Sequence, residues 1–268
     1  MATATNGPDA VVAATEDKAL PDLALPKPTP VRVPLAAGPD LPVIAFYCPG
    51  SGPTEWDLKT GGAALANFWP LDPQRLVLTH NEITGSFHTS EAAYQCLRWW
   101  QHAATRTAFE KCDAPGFQGG EDAWALARTC KKVKALDAHA EQDFDGLGKF
   151  GAMLTVLRVK WRLPGFKEYL LMTGESFLVE HCTVPDRDLV WTDNYHGGGE
   201  NRLGAALMLV RGEILAEEVG AGTGVAGEVP AWPPVAERPD WAGGTFGSNW
   251  QDVVDEVARH LARNTEKR

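Results

Sequence analysis

Residues Trp191–Gly204 read WTDNYHGGGENRLG. Three successive glycines, a polar pair and then a helical pattern describe a loop whose backbone can approach a ligand closely. The helix that follows would offer free amides suited to a phosphate or a carboxylate. Asp188, Trp191 and Asp193 stand just upstream, and an aromatic plate beside carboxylates suits a nucleoside-like ligand. The same glycines also read as a flexible surface loop. A second cluster opens with Ser90-Glu91-Ala92-Ala93-Tyr94-Gln95. A first-turn Glu91 answers the helix dipole by itself, but Glu91 and Gln95 are four apart and share a face that also carries Arg98, which lines up an acid, an amide and a base. Asn67-Phe68-Trp69-Pro70 adds an amide and two aromatics in a turn, either as core or as the border of a base-binding pocket.

Other chemistry finds less support. Lys131-Lys132-Val133-Lys134 is the one compact basic cluster, and it reads as a solvated helix end. His80, His88, His139, His181 and His196 are scattered without metal-binding spacing, and neither a GxSxG elbow nor a phosphate-binding glycine motif occurs. No metal and no cofactor is expected. Cys48, Cys96, Cys112, Cys130 and Cys182 are irregularly spaced, form no CxxC pair and read as reduced, mostly buried thiols.

The elements that must hold these clusters are mixed. Val43–Tyr47 reads as a strand, and Leu76–Leu78 with Ile83–Phe87 as a hairpin around Asn81. Ser90 is expected to cap a helix running through Tyr94 to Trp99. Asp122–Val133 and Phe150–Arg162 read as helices, the second ended by Pro164, with another beginning over Phe166–Met172. Phe177–Glu180 and Asp188–Trp191 read as strands, and Leu203–Ile214 as a closing helix. Helices outnumber strands and alternating βαβ units are missing, so the expected class is α+β, mainly helical, and not doubly wound.

The chain of 268 residues carries 25 Lys+Arg against 35 Asp+Glu, a net charge of −10. Residues 1–40 hold five acids and three bases, 213–268 ten acids and five bases, and 41–212 twenty acids and seventeen bases, so most of the acidity lies in the ends. Such a chain is a poor general binder of phosphate backbones. Three parts are expected: a Pro/Ala-rich disordered arm over 1–40, a compact catalytic domain over 41–214, and over 215–268 a Gly/Pro-rich connector leading to a terminal helix marked by Trp250, Val253, Val254, Val257 and Leu261. No apolar run is long enough to span a bilayer and no signal peptide is visible, so a cytoplasmic location with no membrane partner is expected.

Four ordered segments resemble one family. ALANFWPL (63–70) resembles "SNFYP", and TSEAAYQCLRW (89–99) resembles "SSEHAFQAxKF". LLMTGESFLVEH (170–181) is similar to "LLxTGxxxLVE", and DLVWTDNYHGGGENRLGAALMLVR (188–211) to "DxxWGDGxxGxGxNxLGxxLMxVR". These are segments of the NADAR, or YbiA-like, family, and the resemblance covers about Ile44 to Arg211. It implies a compact, mainly helical α+β domain and an N-glycosidase, a hydrolase acting on the ribose C1′–N bond. The implied substrates are phosphoribosylamino-pyrimidine intermediates of riboflavin synthesis or ADP-ribosylated guanine in nucleic acid. Family motif positions fall on Asn67, Glu91, Gln95, Asp188, Trp191, Asp193, Asn201 and Gly204. Arg98 stands where a Lys is usual, Ala92 where a His is usual, and Thr192 where a Gly is usual. An Arg-x-Asp-Trp segment is met here only by Glu141-Gln142-Asp143-Phe144.

Breaking a C1′–N bond builds positive charge on the sugar, which a nearby carboxylate stabilises while orienting or deprotonating water. Glu91 is expected in that role. Asp193 is expected as the second catalytic carboxyl, binding ribose hydroxyls or protonating the departing base. Trp191 would stack, Asn67 and Asn201 would fix hydroxyls or phosphate oxygens, and Gly197–Gly199 would bring amides to a phosphate. Phe68, Gln95, Arg98, Asp188, Gly198, Gly199, Arg202 and Gly204 complete the expected substrate contacts. The expected partner is an ADP-ribose-type or ribose-phosphate substrate, free or carried on nucleic acid. The alternatives are a non-catalytic ADP-ribose or NAD-binding module, and a scaffold whose terminal arms carry the function.

Overall fold

A computed structural model describes residues 25–36, 38–218 and 250–266. The N-terminal part expected as an arm lies outside them up to residue 24, and so does the connector over 219–249. The elements run β1 (Val31–Val33), β2 (Leu41–Phe46), α1 (Glu55–Thr60), β3 (Leu76–His80), β4 (Ile83–Phe87), α2 (Ser90–Cys96), α3 (Ala103–Glu110), α4 (Gln118–Lys132), α5 (Lys134–Asp137), α6 (Gly148–Lys160), α7 (Phe166–Met172), β5 (Phe177–Glu180), α8 (Arg202–Glu218) and α9 (Trp250–Glu266). This is an α+β fold in which helices predominate.

Strand β2 is the centre of a three-stranded sheet of order β1-β2-β5. It pairs antiparallel with β1 (Val31 opposite Val43) and parallel with β5 (Val43 opposite Phe177, Phe46 opposite Glu180). Flanked by strands and covered on both faces, LPVIAF is apolar almost throughout. Val31–Val33, read from sequence as part of an arm, are thus tied into the sheet. Strands β3 and β4 form a separate hairpin turning at Asn81-Glu82, both with positive φ. Helix α6 lies at the centre of the domain and buries Phe150, Met153, Leu154, Val156 and Leu157 around most of its circumference. Helix α8 packs against α6 and β5. All five cysteines are buried, free thiols.

Two sequence expectations are corrected. Asp188–Trp191 is not a strand: Asp188 Oδ1 accepts the N–H groups of Val190 (2.8 Å) and Trp191 (3.0 Å), which bends the chain into a turn. The cap of α2 is Thr89, whose Oγ1 accepts from Ala92 N–H at 3.1 Å, and Ser90 is the first helical residue. The regular helix then stops at Cys96, and Leu97–Trp99 tighten into a 3₁₀ turn.

Helix α9 buries Trp250, Val254, Val257 and Leu261 at helical spacing, with Trp250 against Phe177 of β5 (5.3 Å between rings). Its partner is the glycine loop. Gln251 Nε2 donates to the carbonyls of Gly197 (3.1 Å) and Gly199 (2.8 Å). Gly197 has φ +95°, and a Cβ there would stand 2.4 Å from Asp255 Cα. Gly197 is therefore required because a helix lies on it.

Gly197→Ala is expected to lower unfolding free energy by about 2 kcal/mol or more, through strain and lost docking of α9. Gly198→Ala serves as the control, since Gly198 is exposed and its added Cβ meets nothing nearer than 3.9 Å. Urea denaturation of both variants checks this, and equal stability would contradict it.

Candidate active site

Because α2 begins immediately behind the β3–β4 hairpin, its first turn faces inward. Glu91 sits there at 6% exposure. Its N–H donates to Asn67 O (3.0 Å), and its Oε1 accepts from Gln95 Nε2 (2.9 Å). Burial pushes the Glu91 carboxyl up to about 7, and Asp188 and Glu121 raise it further, while the Gln95 bond and Lys131 oppose them.

The turn carrying Asn67 and Phe68 is gripped from below. Lys160, at the end of α6 and fully buried, donates from Nζ to Ala64 O (2.8 Å) and Ala66 O (3.0 Å). Burial holds its ammonium down to about 7. Asn67 Nδ2 leans on Met153 Sδ (3.5 Å), while its Oδ1 is buried with no partner among the described residues. Gly120 of α4 passes so near that a Cβ there would lie 2.7 Å from the Phe68 ring.

These groups line one half of a two-part cavity. This half, about 230 Å³, is bounded by Asn67, Phe68 and Glu91, by the ends of the parallel pair β2 and β5 (Tyr47–Pro49 and Glu180), and by Trp124, Asp188 and Trp191. Asp57 fixes the β2 end, since its carboxylate accepts from the N–H groups of Tyr47 and Cys48, both at 2.9 Å. At the β5 end, Glu180 Oε2 is buried with no partner among the described residues. Burial, then Asp188 and Glu91, hold the Glu180 carboxyl well above the usual range. Four carboxyl groups, Glu91, Glu121, Glu180 and Asp188, thus line this half, together with Arg187. Sequence reasoning missed Glu180, although an acid closing an otherwise apolar strand was a signal.

The other half, about 270 Å³, shares Tyr94, Gln95, Asp188 and Trp191 and adds Arg98, Lys131, Phe144, Lys149 and Val190. Tyr94 stacks on Phe144 (5.1 Å, 22°) and meets Trp191 edge-on (5.6 Å, 79°). Glu141 and Gln142 lie beside Arg98: the Glu141 N–H donates to Arg98 O at 2.6 Å. Lys131, read from sequence as a solvated helix end, is exposed but lines this half.

The structure therefore brings together Asn67, Phe68, Glu91, Gln95, Arg98, Asp188 and Trp191. It places the rest of the expected set elsewhere. Asp193 is fully buried, with Oδ2 on His181 Nδ1 (2.5 Å) and Oδ1 on the N–H groups of Cys182 (3.1 Å) and Tyr195 (2.9 Å). It is a structural carboxylate that holds the loop to the end of β5, not a second acid in the cavity. Asn201 receives the Glu180 N–H on Oδ1 (2.9 Å) and donates to Leu178 O (3.0 Å). Its role is to orient Glu180 from behind.

The glycine loop does not line the cavity either. The Gly197 and Gly199 amides both donate to Asp193 O, and a Cβ on Gly199 would stand 2.2 Å from Thr192 O. Gly198 is exposed. Arg202 bonds Glu200 (2.5 Å), and Gly204 lets α8 approach Leu178 O, 2.1 Å from an added Cβ. Amides around the start of α8 are also taken, with Asn201, Arg202 and Leu203 donating to Thr192, Val190 and Trp191. The amides of Gly197, Gly199, Asn201, Arg202 and Leu203 are thus all used within the protein.

Among the described residues no group of three or more His, Cys, Asp or Glu is placed to hold a metal ion. No helix of theirs is long and apolar enough to cross a membrane. Fold and site define an α+β domain with a two-part cavity, one half richer in acids and the other in cations. No protein-family model and no curated protein matches the chain. Among solved structures it is similar to the NMR structure of the E. coli protein YbiA, with 23% identity over 66% of this chain and 87% of that one and a TM-score of 0.45.

The raised Glu91 carboxyl has a consequence for stability. Below pH 4.5, its ordinary value, it is protonated in both folded and unfolded chains. Between 4.5 and about 7 the unfolded chain ionises first, so stability is lost as pH rises, and the loss persists above. Glu91→Gln is expected to stabilise the protein at pH 8, on the order of 3 kcal/mol at most, with no gain at pH 4. Chemical denaturation at both pH values checks this; a gain at neither would contradict it.

Proposed function

We propose that the protein is an N-glycosidase hydrolysing a ribose C1′–N bond. The observation that carries this reading is Glu91, a buried carboxyl raised to about 7 on the wall of an aromatic-lined cavity. A group titrating near working pH is suited to general-base catalysis. The likeness of segments 63–70, 89–99, 170–181 and 188–211 to the NADAR family supports the same reaction class.

In this reading ionised Glu91 faces C1′, stabilises the positive charge growing on the sugar and takes a proton from the attacking water. A C1′–O bond forms as the C1′–N bond breaks, and the bond's electron pair leaves with the base nitrogen. That nitrogen needs a proton. In this reading Glu180 supplies it, its carboxyl being held well above the usual range by burial first. Glu180 thus takes the part that sequence reasoning gave to Asp193. Trp191 and Tyr94 offer faces for stacking, a contact worth roughly 1–3 kcal/mol per base. Gln95 orients Glu91 through its 2.9 Å bond. Asn67 Oδ1, buried without a partner among the described residues, is assigned a ribose hydroxyl in this reading.

The experiment is mass spectrometry of products from two substrates in parallel, an oligonucleotide carrying ADP-ribosylated guanine and a phosphoribosylamino-pyrimidine. Wild type is expected to release ADP-ribose from the first or ribose 5-phosphate from the second, with Glu91→Gln slower by roughly a hundredfold or more. The wild-type rate should rise with pH through about 7 as Glu91 ionises. Release of neither product, together with stabilisation by ADP-ribose, would replace the hydrolase with a binding module.

A further inference from the structure

Lys160 closes α6 with its amine inside the core, fully buried and in no salt bridge among the described residues. A cation buried without an acid is costly, and an apolar side chain of similar length would fill the same space at a lower cost. The rings of Trp161 and Phe166, centred 4.6 Å and 5.8 Å from Nζ, offset part of it. What the amine does there is hold two carbonyls, Ala64 O at 2.8 Å and Ala66 O at 3.0 Å. One peptide further along, Asn67 O receives the Glu91 N–H at 3.0 Å. The same helix reaches Asn67 a second time. Met153 and Lys160 are seven apart and so share a face of α6, and Met153 Sδ meets Asn67 Nδ2 at 3.5 Å. Tyr169 of α7 adds a third hold, donating from its hydroxyl to Gly61 O.

The charges acting on the Glu91 carboxyl are those of Lys131, Asp188 and Glu121, and its own side-chain bond is to Gln95. The hydrogen bonds of Lys160 go to the turn, so its effect on Glu91 runs through the backbone. We propose that Lys160 is a positioning residue for the reaction at Glu91: from the core, by way of the Asn67 turn, it sets where the first turn of α2 stands against the cavity and how far water reaches the carboxyl. The inference rests on the catalytic reading of Glu91 given above.

Lys160→Met and Lys160→Gln test this beside Arg158→Met, which breaks the Arg158–Glu213 ion pair on the same helix and leaves the turn alone. Methionine fills the space without a donor, while the shorter glutamine keeps one. The readouts are the ¹³C titration of the Glu91 carboxyl, hydrogen exchange at the Glu91 amide, base release from the two substrates named above, and the melting temperature. Wild type is expected to protect the Glu91 amide. In Lys160→Met that protection should drop, and the Glu91 midpoint should fall from about 7 toward 4.5 as water enters. Its kcat should fall roughly tenfold to a hundredfold, as a small misplacement of a catalytic group does. Lys160→Gln should recover part of all three. Arg158→Met is expected to lower the melting temperature and to leave the midpoint at the wild-type value.

An unprotected Glu91 amide in wild type would overturn the proposal whether or not either Lys160 variant folds. So would a Lys160→Met protein with the wild-type midpoint, or an equal shift of midpoint in Arg158→Met, which would make Lys160 one more stabilising contact. A lowered midpoint in Lys160→Met, with no base released by wild type, would keep the hold on Glu91 and sink the hydrolase. Base release by Lys160→Met at the wild-type kcat would do the opposite.

Discussion

Burying a carboxylate costs several kcal/mol unless its surroundings repay it or it takes up a proton. Glu91 meets that constraint by sitting near the boundary between its two states, with its carboxyl at about 7 and one oxygen bonded to Gln95. The backbone around it is correspondingly well held. Its N–H is fixed by Asn67 O, and the two carbonyls flanking Leu65 just before Asn67 are gripped by Lys160 from the core. Lys160 is likewise buried and brought to about 7, without a salt-bridge partner among the described residues. A neutral amine still donates two hydrogen bonds, so this grip works in either protonation state. The cavity wall is built from the buried core outward.

Around that anchor the cavity carries both signs of charge, with Arg187 among the acids and Asp188 beside the cations. Strands β2 and β5 run parallel and deliver Tyr47–Pro49 and Glu180 to the end of the cavity that holds Glu91. Arg98, Lys131 and Lys149 line the other end, and Tyr94, Gln95, Asp188 and Trp191 border both halves. Under the proposed reading a sugar whose ring becomes positive faces Glu91. Glu180 and Asn201 show how the scaffold supports this: Asn201 takes the Glu180 N–H and gives its own amide to Leu178 O, which sets the direction of the last strand residue.

Local periodicity made much of this legible. The hairpin, α2, α6, α7 and β5 follow from spacing and turn residues that lie within one element. Misreadings came where a residue's partner is distant or its direction is set by tertiary contacts. Gly197–Gly199 read as a place where a ligand comes close, but at Gly197 the group that comes close is α9, far along the chain, and at Gly199 it is the loop's own Thr192 carbonyl. Asp193 stands two residues from Trp191, yet it turns away from the cavity to His181. The Asp188 turn breaks a stretch with strand-like composition because a side-chain oxygen claims the amides a ladder would need. Lys131 and Lys149 meet Arg98 only through the packing of α4 and the start of α6 against α2, which no local spacing encodes.

A desolvated Glu91 that changes charge near neutral pH is what the proposed chemistry requires. Site-resolved ¹³C NMR titration of its side-chain carboxyl carbon, assigned by comparison with Glu91→Gln, tests it directly. A midpoint near 7, shifting when ribose 5-phosphate is added, is the predicted result. A midpoint at the ordinary glutamate value of about 4.3, unchanged by ligand, would contradict the account.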